Sequence, residues 1–140
     1  MSETAELYHA LIMDRSKNPR FAGRPAAFDA QAQGDNPLCG DHVQVFVRRE
    51  GNKVAHESRG CAIMAASADL MAQAVAGKSA DEIAKLRSAF EQVVTTGVEN
   101  PDLGDLNALA GVSEYRSRIR CATLPWSALA DAVEGDVDHG

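Results

Sequence analysis

The chain has 140 residues, a length at which one domain buries a core of its own, and it reads as a single domain spanning residues 1–140. Hydrophobic residues make up 45% and charged residues 24%, an ordinary globular balance that excludes wholesale disorder. With 14 Lys plus Arg against 20 Asp plus Glu, the formal charge of -6 argues against nucleic acid as a partner. No stretch reaches the ~20 apolar residues of a membrane helix, and the acidic N-terminal stretch lacks the basic start of a secretory signal, so no membrane partner and a cytoplasmic location are expected.

In chain order, the first predicted element is an amphipathic helix over residues 3–15, with Leu7, Ala10, Leu11 and Asp14 at helical spacing. Asn18-Pro19 ends it, because the residue before a proline avoids the helical region. Three strands follow. Residues 26–33 alternate weakly, residues 42–49 alternate well with Val43, Val45 and Val47 on one face, and Gly51-Asn52 is a hairpin signal that returns the chain over 53–59. From Cys61 the pattern turns helical. A helix over 63–76 closes at Gly77, and a second over 79–94 opens with Ser79 and the acidic pair Asp81-Glu82. A short helix spans 103–109, and a final one starts near Cys121 and runs to 133. Strands first and helices after predict an α+β domain, a small three-stranded antiparallel sheet with helices packed on one face.

Three cysteines cannot all pair within one chain, and a reducing compartment disfavours disulfides in any case. Cys39 lies in the turn Asn36-Pro37-Leu38-Cys39-Gly40-Asp41. Alternation along an extended chain points Cys39 and Asp41 the same way and His42 the other, and sets Asp41 among Val43 and Val45, where a carboxylate needs a cation. Cys61 follows Arg59-Gly60 and Cys121 follows Arg120, each ahead of a predicted helix whose dipole and neighbouring charge favour the thiolate. A lone buried Cys is usually inert. Three of them at the junctions of elements point instead to a three-thiolate site with Asp41 or His42 as fourth ligand. The cysteine intervals match no zinc-finger spacing, so the convergence has to come from tertiary structure. The apolar residues expected at the surface are Leu38 and the run Leu124-Pro125-Trp126, with Trp126 an interface anchor or, the commoner fate, a core residue.

The segments NPLCGDH (36–42), SRGCAIMAASADLM (58–71), VAGKSAD (75–81) and RIRCATLPWSA (118–128) together resemble the SufU/IscU/NifU-N group of iron–sulfur cluster assembly proteins, in the family's order and over nearly the whole chain. The resemblance implies a SufE/NifU-like architecture with Cys39, Asp41, Cys61 and Cys121 as metal ligands. Members of the IscU type carry a His directly before the third cysteine and a Leu-Pro-Pro-Val-Lys chaperone motif shortly upstream. Here Arg120 stands in the first place and Glu114-Tyr115-Arg116-Ser117 near the second, with an extra stretch around 89–113, features similar to the SufU type. That likeness implies a zinc-bearing sulfur acceptor that works with a SufS-like cysteine desulfurase and hands sulfur to a downstream cluster scaffold or carrier. The likeness further implies a sulfurtransferase-like partner rather than a stand-alone enzyme. Cys39 would take the persulfide sulfur, and Arg120 would steady thiolate charge or dock the partner. Two alternatives stay open: a scaffold that holds a [2Fe–2S] cluster on the same residues, and a structural zinc domain without transfer activity.

Overall fold

Val43 and Val45, read from the sequence as inward-facing, are fully buried in the middle strand of the sheet. The elements are α1 (Glu3–Lys17), β1 (Ala30–Asn36), β2 (Asp41–Arg48), β3 (Lys53–Arg59), α2 (Ala62–Val75), α3 (Ala80–Thr96), a 3-10 segment (Pro101–Glu114) and α4 (Arg116–His139). The computed structural model describes residues 3–50 and 53–139, with side chains from 6 to 50 and from 53 to 133. The strands form an antiparallel sheet in the order β1-β2-β3, as expected.

β1 starts later than the weak alternation over 26–33 suggested. Register decides it: Ala30 lies opposite Val47 and Asn36 opposite Asp41, which turns Ala30 and Ala32 toward the core. Residues 26–29 precede the strand, and Phe28 packs edge-on against Phe46 on the outer face at 5.0 Å. The predicted turn residues Gly51-Asn52 lie outside the described residues, and the flanking pair Arg48 and Lys53 is in register.

α2 and α4 cover the inner face of the sheet, and α1 packs on α2. α2 is buried nearly all round by Met64, Ala66, Ala68, Leu70, Met71 and Ala72, which is why its sequence shows small and apolar residues with little periodicity. α1 turns Leu11 and Ile12 inward together with Arg15, while Leu7 of the predicted stripe is 68% exposed. α3 opens as its sequence predicts: Ser79 and Glu82 form a reciprocal capping box, which pulls the Glu82 pKa down. The short helix expected over 103–109 is a longer 3-10 segment interrupted at Gly104, whose φ of 52° and ψ of -123° are not helical.

The largest departure from expectation is α4. It starts at Arg116, more than a turn before Cys121, and continues through Pro125 to His139. Proline in a helix interior removes one backbone donor, a cost met here by the packing of α4 on the sheet and on α2. Leu124, expected at the surface, is 1% exposed; Trp126 takes the commoner of its two fates as a core residue, also 1% exposed, and stacks on Phe90 of α3 with centroids 5.1 Å apart. Among the described residues, no helix is long and apolar enough to cross a membrane.

Candidate metal centre

The turn between β1 and β2 places the first candidate. The Cys39 N–H donates to the Asn36 carbonyl at 3.1 Å, and Gly40 at φ +70° brings the chain into β2. Cys39 is half-buried, and Leu38 beside it is 96% exposed. Asp41 opens β2 on the inner face and is only 2% exposed. Its Oδ1 accepts the Cys61 N–H at 2.8 Å, and its Oδ2 lies 3.6 Å from Cys61 Sγ.

Cys61 is the N-cap of α2, as the sequence predicts for a cysteine before a helix, and its sulfur accepts the Met64 N–H at 3.5 Å. Gly60 makes the close approach possible. Its φ is +142°, and a Cβ there would stand 2.8 Å from Asp41 Cα and run into the carboxylate.

Cys121 comes from α4, fully buried, and the ligand atoms of Cys39, Asp41 and Cys121 all lie within 4.8 Å of one another. Because α4 begins earlier than expected, Cys121 sits inside the helix and not at its N-terminus, so the dipole does not favour its thiolate. Burial instead pushes its pKa far above the ordinary thiol value, reinforced by hydrogen bonds with Asp41, Cys39 and Cys61. A metal ion bound among these atoms would reverse that balance.

Of the two fourth-ligand candidates, His42 drops out. It faces the opposite side of the sheet, with Nδ1 2.6 Å from Asp35 Oδ1. The guanidinium at the thiols belongs to Arg118 rather than Arg120. Arg118 lies in the field of all three thiols, Cys121 foremost, which raises its pKa. The physical reason is helical spacing. Residues three apart share a face whereas adjacent ones diverge by about 100°, so adjacency in sequence pointed to the wrong arginine. Sequence reading also passed over Asn36, whose Nδ2 donates to Cys121 Sγ at 3.9 Å, and Gly60; both flank cysteine motifs, and that adjacency was the available signal.

A second polar cluster lies away from the thiols. Asp69 of α2 accepts Arg15 Nε at 2.7 Å, the backbone N–H of Arg20 and Phe21 at 3.0 and 2.8 Å, and contacts His56 Nε2 at 3.0 Å. Burial works against the Asp69 charge, but these contacts outweigh it and hold its pKa well below the usual carboxylate range.

The donor set fits a metal. The sulfurs of Cys39 and Cys121 and the Asp41 carboxylate gather within 4.8 Å, Cys61 stands outside that group with its Sγ 3.6 Å from Asp41 Oδ2, and together they offer the ligand number and types that zinc takes; a cation would also supply the counter-charge of the buried carboxylate.

Fold and site together define a small α+β domain that gathers thiols from three separate segments beside one buried carboxylate. The chain belongs to the NifU-like N terminal domain family, whose model matches residues 7–122. It is 38% identical over 140 residues to the iron–sulfur cluster assembly scaffold protein IscU of Streptococcus pyogenes serotype M1, covering 96% of this chain and 87% of that one. It is equally 38% identical over 133 residues to the zinc-dependent sulfurtransferase SufU of Bacillus subtilis, covering 91% and 89%. The crystal structure of the N-terminal part of a nitrogen-fixing NifU-like protein from Brucella abortus superposes with a TM-score of 0.83 at 28% identity, over 99% of this chain and 100% of that one.

Proposed function

We propose that the protein serves iron–sulfur cluster assembly as a zinc-dependent sulfur acceptor, with Cys39, Asp41, Cys61 and Cys121 as zinc ligands and a cysteine desulfurase as sulfur donor. The observation that carries the reading is the convergence of Cys39, Asp41 and Cys121 within 4.8 Å, with Cys61 joined to Asp41. Zinc, when bound, keeps the thiols deprotonated at neutral pH.

Cys39 is the acceptor in this reading. It lies on a turn at the surface, whereas Cys121 is fully buried and Cys61 caps a helix. Its thiolate attacks the outer sulfur of the donor's cysteine persulfide. The new S–S bond forms at Cys39, the donor's S–S bond breaks, and the electron pair leaves on the donor's cysteine thiolate, so no outside oxidant or reductant is needed. The exposed Leu38 next to it offers an apolar contact to the donor, and Arg118 at the thiols can hold the incoming negative charge. Arg120, exposed on the same helix, is left with the docking role alone.

The test compares Cys39→Ser and Cys61→Ser with the parent protein by zinc content and by sulfur received from a desulfurase supplied with cysteine. Cys39→Ser is expected to lose sulfur acceptance; a variant that still accepts sulfur at the parent rate overturns the assignment. The equal likeness to a scaffold protein supports a second reading, a [2Fe–2S] cluster on the same four residues. Protein purified without air distinguishes them: stoichiometric zinc fits the sulfur acceptor, iron with inorganic sulfide the scaffold. A structural zinc domain without transfer activity predicts unchanged sulfur handling on replacing Cys39.

A further inference from the structure

Asn36 touches three of the four ligand segments at once. Its backbone pairs in register with Asp41, its carbonyl accepts the Cys39 N–H at 3.1 Å, and its side-chain Nδ2 donates to Cys121 Sγ at 3.9 Å. It is 6% exposed, so this amide is held by the fold rather than by solvent. Beside the Arg118 charge, Cys121 Sγ has two hydrogen-bond contacts outside the site among the described residues, and they are of opposite kind. The Ser117 carbonyl, 3.8 Å away, suits a thiol that still has its proton to donate, while the Asn36 amide suits a sulfur that can only accept.

From this we infer that Asn36 is a positioning residue which fixes Cys121 as the permanently held metal ligand and so leaves Cys39 as the one that exchanges. An N–H donated to a metal-bound thiolate withdraws electron density from the sulfur, lowers its nucleophilicity and locks its orientation. Cys39 receives no such donor from Asn36: the contact there is from the Cys39 backbone to the Asn36 carbonyl, which anchors the turn and leaves the Asn36 amide to Cys121. One residue thus makes two chemically similar sulfurs unequal.

The inference rests on the metal-site reading above, and its test separates the two. Asn36→Leu keeps the side-chain size but has no N–H; Asn36→Ala removes both. Each is loaded with cobalt in place of zinc, and the sulfur-to-metal charge-transfer band is recorded. Zinc loss to a chromogenic chelator and the cysteine carrying persulfide after desulfurase treatment are measured on the zinc-loaded forms. Parent protein showing no thiolate charge-transfer band at all removes the metal centre itself. With the band present in the parent, the Leu variant is expected to shift it to lower energy, to lose zinc about 10-fold faster, in the range typical for removing an outer hydrogen-bond partner of a ligand, and to place persulfide on Cys121 as well as Cys39. A Leu variant with unchanged band, zinc loss and persulfide position overturns the role of the amide. A band unmoved in Leu while Ala alone loses zinc assigns Asn36 to packing and also overturns it.

Discussion

At the scale of single residues, the site depends as much on what is missing from Gly60 as on what its neighbours carry. Asp41 can reach the Cys61 N–H at 2.8 Å only because no Cβ stands between the end of β3 and the start of β2. Gly60→Ala has to relieve both a left-handed φ of +142° and a collision with the backbone and carboxylate of Asp41. The variant is expected to fold with the sheet intact and to bind zinc at least ~10-fold more weakly than the parent, since the carboxylate is displaced from the sulfurs. Competition with a chelator of known affinity checks it; parent-like affinity would show that Asp41 is dispensable to the centre. Asp41→Ala should give the same loss without backbone strain, and the pair separates the ligand from its frame.

Elements carry the ligands, and how much of that was readable differs along the chain. The inward face of Asp41 in β2 and the Cys61 cap followed from local rules, alternation and helix entry, and the structure places both where those rules put them, whereas Cys39 reaches the site from a turn through Gly40 and not along an extended chain. α4 was not legible in the same way. The sequence places the start of this helix near Cys121, but packing on β1 and α2 accompanies a start at Arg116, which moves Cys121 into the helix and brings Arg118 to the sulfurs. His42 fell to the outer face because strand alternation overruled any bulge at Gly40. The seating of α4 on β1 is tight at Gly34, where an added Cβ would stand 3.0 Å from Leu124 Cδ1, one turn beyond Cys121. Gly34→Val should therefore push α4 outward, cost about 1–3 kcal/mol by overpacking, and weaken zinc binding although the residue touches no ligand. Urea unfolding read beside zinc competition checks this; lost stability with parent-like zinc affinity would mean that the position of Cys121 is set by α2 instead, through the Ser67 hydroxyl bond to the Ala122 carbonyl.

At the scale of the whole molecule, the Asp69 cluster ties α1, the segment at 20–21, β3 and α2 to one buried carboxylate, with no part of it in the thiol site. Because the folded-state pKa of Asp69 lies below its unfolded value, the ionised group contributes stability that is fully present above the ordinary carboxylate pKa of about 4 and is lost as pH falls through that value toward the depressed one. Asp69→Asn keeps the shape but leaves the Arg15 guanidinium, 5% exposed at its side chain, without its charge partner. Breaking a buried pair from one side is expected to cost about 3–5 kcal/mol at neutral pH. Measured with a chelator present throughout, so that proton competition for the thiolates does not enter, parent protein should lose urea resistance between about pH 4 and pH 2 more steeply than the variant. Parallel profiles would show that Asp69 is not the group whose protonation opens the fold. A convergence of the two curves at the acid end, with the gap open at pH 7, would place the acid sensitivity of the whole domain at the junction of its N-terminal helix with α2, remote from the metal centre it supports.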